Sequence, residues 1–177
     1  IRDNKEVIID GDGLQKQLAR ICFIDEKYDL AFITPPNLHE MASVPLAHAE
    51  SDPTEGDEIL AVGHPFGLKY TATKGIISNS EHDDMGIIYV QHDAALNPGN
   101  SGGPLIANTG EIIGVNTFVV KNGNNIGFSL PAHYLRNAID EFKKGKGVSG
   151  VRCNSCLNMV FENTVEGRYC HHCGSKI

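Results

Sequence analysis

Gly99-Asn100-Ser101-Gly102-Gly103-Pro104-Leu105 is the stretch that decides how the rest of this 177-residue chain is read. A serine with glycines close on both sides can sit at the apex of a strained turn, because glycine has no Cβ and tolerates positive φ. Such a turn points the Ser101 hydroxyl outward. It also aims two backbone N–H groups, those of Gly99 and Ser101, at one point where a tetrahedral oxyanion could sit. Acyl transfer through a serine nucleophile needs both features. The alternative reading is a glycine-rich turn between two strands, which any all-β protein can contain.

Around this loop the chain is a succession of short apolar runs separated by turn residues. Residues 5–10, 18–24 and 29–34 read as strands, with Gly11-Asp12-Gly13 and Glu26-Lys27 as turns between them. Residues 35–55 are polar and proline-bearing, a crossover. Six further strands are expected at 58–63, 71–78, 87–91, 103–107, 111–118 and 126–130. Strands at this even spacing suggest antiparallel barrels. Pro131 suits the first turn of a helix whose Tyr134, Leu135, Ala138, Ile139 and Phe142 share one face and which stops at Lys143-Lys144-Gly145.

Composition narrows the function. With 41% hydrophobic and 21% charged residues the chain is an ordinary globular one. It has no apolar run near the length of a membrane span or signal core. The formal charge is −7, and the tail from Val151 carries Arg152, Arg168 and Lys176 against Glu162 and Glu166, which leaves −8 on the preceding residues. An acidic surface without a basic face speaks against nucleic acid as partner.

Four of the five cysteines, Cys153, Cys156, Cys170 and Cys173, form two C-x2-C pairs separated by thirteen residues. Each pair can present two thiolates to one tetrahedral ion, so the first reading is a structural zinc ribbon. The alternative is two disulfides in a secreted tail. The fifth, Cys22, lies alone in an apolar run, so an oxidised scaffold is disfavoured and the zinc reading points to a thiol-reducing compartment, the cytoplasm. All four positions are cysteine, so no coordination site is left open for a catalytic water. Twenty-seven residues lack a core of their own and would need the metal to fold.

Several blocks then acquire a joint meaning. They are Tyr28-Asp29-Leu30-Ala31-Phe32-Ile33, Ala61-Val62-Gly63-His64-Pro65-Phe66-Gly67-Leu68, Val90-Gln91-His92-Asp93-Ala94-Ala95-Leu96-Asn97-Pro98, Glu111-Ile112-Ile113-Gly114-Val115-Asn116-Thr117 and Asn125-Ile126-Gly127-Phe128-Ser129-Leu130-Pro131. In this order and spacing, with the serine loop, they closely resemble the HtrA/Deg family of chymotrypsin-fold serine proteases, over about residues 1–142. The resemblance implies Ser101 as nucleophile, Gly99 with it as oxyanion donor, and Asp29 as the carboxylate that orients a histidine base. At the head of an apolar strand, that carboxylate is expected to be partly buried.

The family's histidine precedes the aspartate, and its usual spacing falls immediately upstream of Ile1. None of the eight histidines matches its motif. His92, nearest to Ser101, is expected to be a surface or pocket residue. The chain is therefore expected to be N-terminally truncated and inactive by itself. Asn100 stands where digestive-type relatives carry the aspartate that pairs with a new N-terminal amine, so Ile1 is not read as an activation terminus. Ala95 and Leu96, with Gly127 and Phe128 as the opposing wall, resemble a specificity pocket. None of the four is charged, which implies a small or medium aliphatic residue before the scissile bond. Phe128 as plain core packing is the other reading. Asn116, Thr117 and Phe118 are expected to form a strand edge that pairs with substrate backbone.

The expected fold is all-β, a chymotrypsin-like double β-barrel with an incomplete first barrel, one C-terminal helix and a small zinc ribbon. Residues 1–144 form the protease domain, with the partial first barrel at about 1–50, the second at about 56–130 and the helix at 131–144. A linker at 145–150 leads to the ribbon at 151–177. The expected function is a serine endopeptidase acting on polypeptides, with its histidine supplied from upstream and zinc as a structural ion only. The ribbon would offer a site for a protein partner. From another class comes the alternative, a pseudoprotease that holds partner proteins in its cleft and ribbon. The family's frequent PDZ domain has no counterpart here.

Overall fold

The computed structural model describes residues 5–11, 14–37, 43–47, 53–67, 70–120, 125–161 and 169–177. Eleven strands, one α-helix and a single-turn 3-10 helix at Pro65–Gly67 are found among them. The chain divides into two compact units, Ser43–Arg136 on one hand and Ile1–Ala42 with Asn137–Ile177 on the other.

The first of these is a closed six-stranded barrel. Its strands β4 (Glu58–Gly63), β5 (Thr71–Asp84), β6 (Ile87–His92), β7 (Pro104–Ala107), β8 (Ile112–Val119) and β9 (Gly127–Pro131) close in the order β4-β5-β6-β9-β8-β7, every pairing antiparallel. Period-two alternation drives it: along β4, Ile59 and Ala61 point inward while Glu58 and Leu60 point out. They join Ala47, Ile77, Val90, Ala94, Leu105 and Ile113 in one buried cluster. All six expected strands are present. β5 runs six residues further than the expected 71–78, because the Met85-Gly86 turn, with both φ positive (53° and 82°), lets β5 and β6 continue as a tight hairpin. Pro131 ends β9 rather than opening the helix, which starts one residue later: α1 is Ala132–Lys144.

The other unit is a five-stranded sheet. The long strand β2 (Leu14–Asp25) pairs antiparallel with β1 (Glu6–Gly11) along its first half and with β3 (Leu30–Thr34) along its second. Phe23, Phe32 and the helical Phe142 form an aromatic cluster, with centroids 4.7–6.0 Å apart. The tail adds two short strands. β10 (Gly150–Arg152) runs parallel to β2 at Phe23 and Ile24, and β11 (Met159–Phe161) pairs with β10. Val160 is buried with Cys153 and Cys170, and Val151, Cys156 and Ile177 pack against them.

Candidate active site and cysteine cluster

Ser101 stands exposed at the tip of the β6–β7 loop. Two glycines set the shape of the tip, Gly99 at φ 106° and Gly102 at φ 85°. At Gly99 the need is double, since a Cβ there would lie 2.6 Å from the His64 carbonyl oxygen. Backbone bonds tie the loop down on both sides. Gly102 N–H donates to the Asn116 carbonyl at 2.8 Å, and Asn116 N–H donates to the Gly103 carbonyl at 2.8 Å. From the other side, His64 N–H donates to the Gly99 carbonyl at 3.1 Å and Phe66 N–H to that of Pro98 at 3.3 Å. The resemblance marked the Gly63–Gly67 turn without giving it a role; its role is to clamp the serine loop, with Phe66 at φ 56°.

The Ser101 hydroxyl donates to the Thr117 carbonyl at 2.9 Å. The N–H groups of Gly99 and Ser101 bond to none of the described residues, as donors of an oxyanion site must not. Asn100 is buried beneath the tip, and its amide has no partner among the described residues.

The residues read as a pocket lie in the same barrel unit. Ala95 is exposed, its carbonyl accepting the Thr73 hydroxyl at 2.8 Å. A Cβ on Gly127 would meet the His92 ring at 2.7 Å and the Leu96 side chain at 3.0 Å, so the absence of a side chain at Gly127 leaves room between them. Phe128 is only 3% exposed and stacks on Phe118 at 4.8 Å. The Asn116 N–H and carbonyl that face the serine loop are taken by Gly103 and Gly102, so any edge open to a peptide begins beyond Asn116, towards Phe118 and the exposed Val119.

Of the two places expected for His92, surface or pocket, the surface is excluded: it is fully buried, its strand position facing the barrel interior, with its ring beside Gly127. A polar chain fixes its tautomer. Asn116 Nδ2 donates to the carbonyls of Val62 and Pro104 (3.1 and 3.2 Å), so Asn116 Oδ1 accepts from Ser129 Oγ at 3.0 Å. Ser129 Oγ in turn accepts from His92 Nε2 at 3.1 Å, which leaves Nδ1 bare and without a partner among the described residues. Burial pushes the ring's pKa down to about 4, so it is neutral near pH 7. Sequence gave no sign of this network.

Asp29 belongs to the other unit. It closes the turn before β3 with φ 51° and is exposed, not partly buried as expected. The left-handed turn lifts it off the strand, and its carboxylate has no partner among the described residues. The buried carboxylate is four residues earlier: Asp25 is 0% exposed and accepts from Arg152 Nε at 2.6 Å.

In the same unit the four tail cysteines converge. Their sulfurs all lie within 4.8 Å of one another, with Cys153–Cys173 and Cys156–Cys170 at 3.7 Å. Both C-x2-C segments turn alike. Leu157 N–H donates to the Cys153 carbonyl at 2.8 Å and Gly174 N–H to that of Cys170 at 2.7 Å, each at positive φ. Hydrogen bonds from Ser175 lower the Cys173 thiol to about 6, whereas burial raises that of Cys170 to about 11, so four thiolates would need a cation between them. Such a group of ligands can hold a metal ion.

Comparison with known proteins places this geometry. A family model described as "Trypsin-like peptidase domain" matches residues 2–115. The probable periplasmic serine endoprotease DegP-like of Chlamydia trachomatis is 40% identical over 139 residues, 73% of this chain and 27% of the relative. A probable serine protease do-like of Buchnera aphidicola is 32% identical, covering 94% of this chain and 39% of its own, and serine protease HTRA3 of Mus musculus is 37% identical, covering 71% and 28%. Among solved structures, the serine endoprotease from Yersinia pestis superposes with a TM-score of 0.70 at 30% identity, covering 84% of this chain and 52% of that one. The HtrA-type protease AlgW with tripeptide gives 0.71 at 30%, covering 81% and 49%. The chain thus spans about half or less of each relative's length. Loop, barrel and family match agree that the chain belongs to the trypsin-like peptidase family, among relatives of the DegP/HtrA serine proteases.

Proposed function

We propose that this chain is the proteolytic part of a serine endopeptidase that hydrolyses polypeptides. The observation that carries the reading is the serine tip itself: an exposed Ser101 hydroxyl beside two backbone N–H groups that no described residue uses. Ser101 Oγ attacks the peptide carbonyl while a histidine takes its proton, and the N–H groups of Gly99 and Ser101 hold the oxyanion. The imidazolium then hands the proton to the leaving amine, and a water deprotonated by the same histidine displaces the acyl group from Ser101 Oγ, which takes the proton back. Asp29 keeps that imidazole in the right tautomer. The histidine comes from residues outside the 177, since none of the eight present carries its motif. Leu96 and Gly127 favour a small aliphatic side chain before the cut, because they offer no charge to pair with a basic one. In the tail the four cysteines hold structural zinc, and this thiolate chemistry supports a cytoplasmic or otherwise reducing setting. The ribbon's exposed residues are then available to a protein partner.

A fluorophosphonate probe on the full-length protein tests the reading. Labelling and peptide cleavage should both vanish in Ser101→Ala, and Asp29→Asn should lower turnover by about 10⁴-fold. Equal cleavage by wild type and Ser101→Ala would leave the binding-only pseudoprotease.

A further inference from the structure

The tail does more than hang on the sheet: two of its residues grip the four-residue turn that ends in Asp29. Arg152, the last residue of β10 and next to Cys153, is 7% exposed. Its Nε donates to Asp25 Oδ2 at 2.6 Å, its Nη2 to Glu141 of α1, and its Nη1 to the Leu157 carbonyl at 2.9 Å. Asp25 uses its other oxygen on the turn, where Oδ1 accepts from the Lys27 and Tyr28 N–H groups at 3.2 and 3.4 Å. The Arg152 guanidinium also lies 5.6 Å from the Tyr28 ring centroid. A second grip comes from Asn154, inside the first C-x2-C turn, whose amide donates to Glu26.

We infer that Arg152, Asp25 and Asn154 are positioning residues for Asp29, through which the order of the cysteine cluster sets the turnover of the enzyme. The inference rests on the proposed role of Asp29 as orienter of the base. At φ 51° Asp29 holds a left-handed backbone, which aspartate tolerates better than most residues but at a cost, so its surroundings help to decide whether it is kept. Here those surroundings are Asp25 of β2, whose Oδ1 holds the turn's N–H groups, and two tail residues, Arg152 on Asp25 and the Tyr28 ring and Asn154 on Glu26. Leu157, whose carbonyl Arg152 holds, is the residue whose own N–H closes the Cys153 turn at 2.8 Å. A metal that fixes Cys153 and Cys156 thereby fixes Leu157 and Asn154. They fix Arg152, Asp25 and Glu26, and the turn between Asp25 and Asp29 follows. A tail serving only as a brace would need no bonds to this turn; it could rest on the β10–β2 pairing at Phe23 and Ile24.

The experiment uses the full-length protein. Arg152→Lys keeps the charge but loses the fork of donors, and Asp25→Asn weakens the pair. Each should lower kcat roughly tenfold to a hundredfold with KM unchanged, since a small misplacement of a catalytic group costs that much. The double variant should be no slower than the slower single one. Hydrogen exchange at the Lys27 and Tyr28 amides should quicken in both. Chelation of wild type should reproduce the loss of kcat and add nothing to Arg152→Lys. If Arg152→Lys does not fold, Asn154→Ala removes only an exposed grip and should still lower kcat several-fold. Variants that lower the melting temperature but leave kcat within about twofold of wild type would overturn the inference, while Asp29→Asn still inactivates. Full activity in Asp29→Asn would instead remove the orienter reading on which it rests.

Discussion

Acid should loosen the barrel through His92, by an amount that can be worked out beforehand. Burial holds this imidazole at a pKa of about 4 in the folded barrel, against about 6.5 for an unfolded chain. Between those values the unfolded chain binds a proton that the folded one refuses, so folding stability falls as pH drops from 6.5 towards 4. Integrated from pH 7.5 to pH 5, the loss is about 2 kcal/mol, approaching roughly 3 kcal/mol by pH 4. Other groups titrate over the same range, so the measurement is a difference. His92→Gln keeps an amide that can donate to Ser129 Oγ but cannot be protonated. Urea denaturation followed by circular dichroism, at several pH values for both proteins, should show wild type losing about 2 kcal/mol more than the variant between pH 7.5 and 5. Parallel curves would refute the argument, because they would mean that folded His92 takes up its proton as freely as the unfolded chain.

What could be read from the sequence was what repeats or what chemistry fixes locally. The short apolar run bounded by turn residues at 58–63 marked β4 to the residue, and the structure alone shows which of its apolar side chains, Ile59 and Ala61, face inward. Gly99 and Gly102 announced a turn that only glycine could make, and the paired C-x2-C spacing announced a cluster whose sulfurs do converge. Long-range polar contacts left no such trace. Asp25 and Arg152 lie 127 positions apart, and no pattern marks either one as the other's partner. Asp29 looked like the carboxylate at a strand head and therefore half-buried, because strand alternation says nothing of a residue at φ 51° just before the strand. His92 faces inward with Val90, as the period of β6 requires, yet the Ser129 and Asn116 that make burial tolerable come from two other strands.

Further outcomes follow from the site. Gly99→Ala places a Cβ 2.6 Å from a backbone oxygen at φ 106°, so the tip must shift; kcat should fall by about 10²-fold through the displaced oxyanion donor, and unchanged kcat would mean that the donor lies elsewhere. A peptide library offered to the full-length protein should be cut after small aliphatic residues, and preferred cleavage after Lys or Arg would refute the uncharged pocket. The tail should carry one zinc per chain, since sulfurs at ~2.3 Å from a tetrahedral ion stand ~3.8 Å apart, close to the 3.7 Å of Cys153–Cys173 and Cys156–Cys170. Chelation should then abolish hydrogen-exchange protection at Leu157 and Gly174, whose N–H groups close the two cysteine turns, while β4–β9 keep theirs; two disulfides by mass in zinc-free protein would overturn both the site and the reducing setting.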